Sequence, residues 1–218
     1  IQYAEFVEKF SNTAIPEYLP HAFFIEGGAL GVENALKVAF DWKVRKNMEK
    51  GKGEKGGKII HFKQAFHGRT GYTLSLTNTS DPRKTMYFPK FDWPRIDIPK
   101  LSFPITDIVL QEVEKNERIA IDQIKTALAN NKDDVAALII EPIQGEGGDN
   151  HFRDEFFVAL RQLCDENEML FIMDEVQTGI GITGKWWAHQ HFSVKPDIIS
   201  FGKKTQVCGL LAGPRVEE

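Results

Sequence analysis

Pro196-Asp197-Ile198-Ile199-Ser200-Phe201-Gly202-Lys203-Lys204-Thr205-Gln206-Val207-Cys208-Gly209 is the stretch whose reading decides the fold. Ile198 to Phe201 reads as a short apolar strand, the kind buried on both faces of a parallel sheet. It runs straight into two lysines and a polar loop closed by glycine. Such a strand cannot easily carry an ammonium group, so a lysine at its mouth is either solvated or put to use. Desolvation can remove its proton and leave an amine that attacks carbonyl carbons. Taken alone, Lys203 and Lys204 read as surface charges, because most lysines are exposed. The residues upstream change that reading.

Two earlier apolar runs have the same form. Val135 to Ile140 ends at Glu141-Pro142-Ile143-Gln144-Gly145-Glu146-Gly147-Gly148, and Met169 to Met173 ends at Asp174-Glu175-Val176-Gln177-Thr178-Gly179. The alternating run Lys58 to Lys63 leads to Ala65-Phe66-His67-Gly68-Arg69-Thr70. Here Phe66 can stack on a planar ring and Arg69 can clamp a carboxylate, although the same residues also read as core and solvated loop. Ala22 to Ile25 is a further short strand before Glu26-Gly27-Gly28-Ala29. Apolar residues then recur at helical spacing from Leu30 to Met48. A glycine turn at a helix N-terminus offers free N–H groups and a favourable dipole to a phosphate, as well as being a common tight turn. Helical patterns reach Asn130 and span Phe152 to Glu168. Strands therefore alternate with helices, the pattern of an α/β domain with a largely parallel sheet. Ligands of such sheets bind at the carboxyl ends of the strands, where Phe66, Glu141, Asp174 and Lys203 all fall.

Composition narrows the class. The chain has 218 residues, 42% hydrophobic and 27% charged, as in ordinary globular proteins. A net charge of −4 argues against a nucleic-acid partner held through phosphates. The apolar runs are far too short to span a membrane. Cys164 and Cys208 imply no disulfide framework, which fits a reducing, cytoplasmic setting. The chain opens within helical sequence at Tyr3 to Phe10 and closes on the apolar run from Leu210. The expectation is a piece of a longer protein in which the strand begun at Leu210 lacks much of its sheet.

Several features read as background. Gly179-Ile180-Gly181-Ile182-Thr183-Gly184 has the glycine spacing of a dinucleotide turn, but five residues separate it from the strand and no amphipathic helix follows. His189 and His191 have no third ligand nearby and read as surface histidines rather than a metal site. Residues 72–103 form a long proline-marked loop. Its Phe91-Asp92-Trp93-Pro94 is either part of a substrate entrance or packing.

Asp174 discriminates among the possible ligands. A carboxylate at the end of a buried strand is costly unless paired. Pyridoxal phosphate would bring a pyridinium nitrogen for Asp174, a phosphate for the Gly28 turn, a flat ring for Phe66 and an aldehyde for a lysine. The strings 141–148 and 174–179, with Phe201-Gly202-Lys203-Lys204, resemble the class III, fold-type-I pyridoxal-phosphate aminotransferases over nearly the whole chain. Glu26 to Leu30, Val32 to Lys37, Phe88 to Arg95 and Gly202 to Gly209 are most similar to the members acting on the 6-amino group of L-lysine.

The resemblance implies that residues 1–218 form the cofactor-binding large domain of a cytoplasmic homodimer, with a mostly parallel sheet flanked by helices. It makes Lys203, six residues after Asp197, the Schiff-base lysine. Asp174 becomes the ring-nitrogen partner, Gln177 a neighbour of the ring hydroxyl, and Phe66 the stacking aromatic. Gly28 and Ala29 become the phosphate turn, without the serine or threonine hydroxyl usual in that class. Arg69 and Glu146 are implied at the substrate, with Glu146 pairing to an arginine beyond this sequence. The implied reaction moves an amino group from lysine to 2-oxoglutarate. Donors such as 4-aminobutyrate or ornithine, an aminomutase of the same fold, and a cofactor-binding regulatory domain stand as alternatives.

Overall fold

The computed structural model describes residues 1–218. Seven strands form one sheet: β1 (His21–Ile25), β2 (Lys58–Phe62), β3 (Arg95–Ile96), β4 (Val135–Ile140), β5 (Leu170–Asp174), β6 (Ile198–Phe201) and β7 (Cys208–Ala212). Their spatial order is β1-β7-β6-β5-β4-β2-β3. Every neighbouring pair from β3 across to β6 is parallel, while β7 runs antiparallel to both β6 and β1. The long helices are α1 (Gln2–Thr13), α2 (Gly28–Glu49), α4 (Asp107–Asn130) and α5 (Asp154–Glu166), and α3 (Thr73–Leu76) is a single turn. No helix is long and apolar enough to cross a membrane.

Strand alternation sorts the core into two layers. Leu170 and Ile172 of β5 and Ile198 of β6 join Val32, Ala35, Leu36 and Ala39 of α2 on one face. Phe171, Met173, Ile199 and Phe201 join Phe10 of α1, Ile124 of α4 and Phe156 of α5 on the other. Both faces being covered explains why β4, β5 and β6 are apolar up to their carboxyl ends, where Ser200 and Asp174 are the exceptions. The period then places Asp174 and Ser200 on the α2 face of the carboxyl edge, and Glu175 on the opposite face.

Three expectations need correction or completion. The final strand does not lack its sheet: β7 starts at Cys208, pairs along its whole length with β1 and pairs from Gly209 to Ala212 with β6. His189 is not a surface histidine; it is 1% exposed and bonded between Glu175 and Tyr18. In the 72–103 loop, Trp93 is buried, stacks on Phe91 at 5.0 Å and donates its indole N–H to the Gly57 carbonyl, so it is packing. Phe91 itself remains half exposed.

The N-terminal end of α2 lies so close to β7 that only glycine fits at the crossing. A Cβ on Gly31 would stand 2.7 Å from the Gly209 carbonyl oxygen, a backbone atom with little room to move. Gly31→Ala is expected to lower the unfolding free energy by about 1–3 kcal/mol, the usual range for overpacking. Chemical denaturation of the two proteins checks this, and equal midpoints and slopes would show that the helix shifts without cost.

Candidate active site

The carboxyl edge of β4, β5 and β6 meets the N-terminus of α2 around a cavity of about 310 Å³. Glu141 and Asp174 reach it directly from strand ends, and Lys203 follows β6 by two residues. Phe66 and Arg69 arrive on the loop after β2. That loop is drawn tightly against α2. Gly68 has φ 108°, and a Cβ there would stand 2.5 Å from the Ala29 Cβ. Gly28 likewise makes room for Val176, whose Cγ1 would be 2.7 Å from an added Cβ. The glycines thus let a helix N-terminus, with its unpaired N–H groups, open onto the cavity.

Asp174 is the best-anchored group in the wall. Its Oδ1 accepts from the Ser200 hydroxyl at 2.7 Å and from the Val176 N–H at 3.1 Å, and its Oδ2 lies 2.8 Å from His67 Nδ1. Ser200 is its register partner on β6. Burial pushes the fully buried His67 towards neutrality. The Asp174 hydrogen bond and charge, helped by Glu141, outweigh burial and hold the imidazole above its ordinary range. The arrangement is a buried imidazole–carboxylate pair, with the other imidazole nitrogen, Nε2, lacking any hydrogen-bond partner. Glu141 is pushed up to about 7, chiefly by burial and further by the Asp174 charge, against the opposing pull of His67. One Glu141 oxygen accepts the Phe66 N–H at 2.9 Å, which ties the end of β4 to the loop after β2.

On the opposite rim, Lys203 Nζ donates to Gln177 Oε1 at 2.8 Å. The Gln177 amide packs so closely on Gly145 that an added Cβ would meet its Nε2 at 2.2 Å. Lys203 has φ 50°, a left-handed conformation uncommon outside glycine. Lys204, the rival amine, is not on the cavity wall.

Seven of the eight residues expected at the site therefore line one cavity: Gly28, Ala29, Phe66, Arg69, Asp174, Gln177 and Lys203. Glu146 does not. It lies exposed on the turn after β4 and forms an ion pair with Lys84, whose bond and charge hold its carboxyl below the usual range. His67, Ser200 and Val176 carry no role in the sequence reading, whereas Glu141 falls at the cavity as its place after a strand implies. Ser200 was discoverable as the lone polar residue of β6, two places after Ile198 on the same face. Nothing in the sequence distinguishes the buried His67 from a solvated one.

The donor set fits pyridoxal phosphate. An anchored carboxylate with an imidazole behind it suits a protonated ring nitrogen, Phe66 offers an aromatic face, the α2 terminus suits a phosphate, and Lys203 is the cavity's amine.

The Glu141 environment has a consequence for stability. Its folded value of about 7 exceeds the ordinary 4.5, so between those pH values the unfolded chain loses this proton and the folded chain keeps it. Stability from this group falls as pH rises through that window and is level above it. Glu141→Gln is expected to flatten the dependence from pH 5 to 6.5, leaving the loss from His67 at higher pH. Denaturation series at pH 5, 6 and 7 check this; parallel curves for parent and variant would place Glu141 as an ordinary carboxylate.

The aminotransferase class-III family model matches residues 1–215. Over 216 residues the chain is 54% identical to the L-lysine-epsilon aminotransferase of Mycobacterium tuberculosis, covering 99% of this chain and 47% of that protein. It is 48% identical over 218 residues to the L-lysine-epsilon aminotransferase of Amycolatopsis lactamdurans, covering 100% of this chain and 48% of that protein. The structure of lysine aminotransferase from M. tuberculosis in the internal aldimine form superposes with a TM-score of 0.94 at 54% identity, over 98% of this chain and 48% of that one. The chain spans about half the length of these relatives. With the cavity at the carboxyl edge of its sheet and a family match along almost its entire length, the chain belongs to the class-III aminotransferases.

Proposed function

We propose that the protein containing this chain is a pyridoxal-phosphate-dependent aminotransferase that moves the 6-amino group of L-lysine to 2-oxoglutarate, giving 2-aminoadipate 6-semialdehyde and glutamate. The observation that carries the chemistry is Lys203 facing the cavity that Asp174 anchors. The choice of donor follows the 54% and 48% identities to proteins named L-lysine-epsilon aminotransferase. The 4-aminobutyrate aminotransferase of Emericella nidulans is 42% identical and covers only 71% of this chain. In this reading residues 1–218 are the cofactor-binding large domain, and the complete enzyme is a homodimer.

Bound pyridoxal phosphate supplies the electron sink that lets the amine-bearing carbon of the substrate lose a proton. Lys203 would hold the cofactor, and its Nζ, once free, would take that proton and return it. Asp174 would accept a hydrogen bond from the ring nitrogen and so keep it protonated. Ser200, Val176 and His67 fix the carboxylate, so no reorganisation is needed as charge develops. The N–H groups of Gly28 and Ala29 would hold the phosphate at the α2 terminus, Phe66 would cover one ring face, and Gln177 would lie near the ring hydroxyl. Arg69, exposed at the rim, binds a substrate carboxylate remote from the reacting amine. Glu146 stands further out, where Lys84 already engages it, and tunes which carboxylates enter.

A panel of amino donors with 2-oxoglutarate, followed by glutamate release, tests the proposal on the full-length protein. Lysine is expected to be the strongest donor, and borohydride reduction followed by peptide mapping is expected to mark Lys203. Strong turnover of 4-aminobutyrate with none of lysine would overturn the donor assignment. A label on Lys204, or on neither lysine, would overturn the assignment of the amine.

A further inference from the structure

The loop that carries Lys203 is weakly tied to the rest of the molecule. Residues 203–205 form one 3-10 turn, entered through Gly202 and left through Gln206, which is also left-handed at φ 55°. Gly202 is confined: an added Cβ would stand 2.9 Å from Cys208 Sγ and 3.4 Å from the Gly28 Cα. Beyond it, most hydrogen bonds stay local. Gln206 donates both its N–H and its side-chain amide to the Lys203 carbonyl, at 3.0 and 2.9 Å, and the Thr205 hydroxyl donates to the Val207 carbonyl. Two bonds reach beyond the adjoining residues 202 and 207, and both end on Gln177. Lys203 Nζ donates to its side-chain oxygen, and Lys204 Nζ donates to its main-chain carbonyl.

These two bonds have different fates in the proposed reaction. Lys203 gives up Gln177 whenever its amine engages the cofactor or the proton it carries. At that moment the Lys204 bond is the one hydrogen bond still joining the turn to the strand-end loop after β5. A left-handed non-glycine residue is held only as well as its surroundings hold it. A misplacement of about 1 Å at a reacting group can lower a rate about a hundredfold.

We propose that Lys204 is a positioning residue: its ammonium, anchored on the Gln177 carbonyl, holds the Lys203 turn in register with the cavity while the Lys203 amine is released. This rests on the reading of Lys203 as the cofactor-bearing amine. It explains why two adjacent lysines converge on one glutamine from its side-chain and main-chain ends. It also gives Gln177 a mechanical role, as the fixed point wedged against Gly145.

The test uses the full-length holoenzyme with Lys204→Met, Lys204→Gln and Lys204→Arg. Lys204 is exposed, so all three are expected to fold with unchanged melting temperatures and to bind cofactor fully. Lys204→Met and Lys204→Gln are expected to lower kcat about tenfold, with KM for donor and acceptor within twofold. Stopped-flow absorbance is expected to show slower return of the Lys203 amine to the cofactor after substrate leaves. Lys204→Arg, which keeps a donor for the Gln177 carbonyl, is expected to restore kcat to within about threefold. A Lys204→Met enzyme with parental kcat and parental recapture rate overturns the proposal. Borohydride mapping of the parent separates this from the underlying reading. Label on Lys203 with parental kinetics in Lys204→Met removes only the positioning role, whereas label elsewhere removes both.

Discussion

A carboxylate buried at the end of a strand, inside a sheet covered on both faces, is the constraint on which this structure depends. Asp174 is 4% exposed at the end of a strand whose preceding residues are all apolar and buried. Left without partners, such a group would cost several kcal/mol to bury. Three donors prevent that, and each comes from a different element. Ser200 is supplied by the neighbouring strand in register, Val176 by the turn that follows, and His67 by the loop after β2. The order β6-β5-β4-β2 brings those elements to one edge. The sheet topology and the carboxylate are thus two statements of the same arrangement.

The next residue meets the same problem on the opposite face. Glu175 is also buried, and its carboxylate accepts from the Thr178 hydroxyl, the Ala188 and His189 N–H groups and the His189 ring. His189 continues to the Tyr18 hydroxyl at 2.7 Å, and Trp187 donates its indole N–H to the Ala14 carbonyl. The N-terminal segment is therefore tied to the strand end that presents Asp174. Charged residues almost never occur fully buried unless partnered. Adjacent carboxylates facing opposite ways hold the end of β5 from both sides, which is what a fixed hydrogen-bond acceptor in the cavity requires.

What could be read in advance follows from the range of the interactions. The buried strands announce themselves as uninterrupted apolar runs, and an acid or a lysine placed just after such a run is locally visible. Asp174, Lys203 and the Gly28 turn were legible for that reason. The antiparallel closure of β7 onto β1 was not, because it joins residues nearly two hundred positions apart and β1 is half exposed, with no distinctive pattern. His189 looked like a solvated histidine because its partners, Glu175 and Tyr18, are 14 and 171 residues away. Glu146 was expected in the cavity, but its turn carries it outward to Lys84, a residue from the irregular loop that no periodicity places.

The central claim is that Asp174, held by its three donors, keeps a ring nitrogen protonated. Nitrogen-15 NMR of the full-length protein reconstituted with ring-labelled pyridoxal phosphate reads that proton directly. A pyridinium shift in the parent that moves to the unprotonated pyridine range in Asp174→Asn, with cofactor still bound, is the result this account predicts. An unprotonated ring nitrogen in the parent, or the same shift in both proteins, would contradict it.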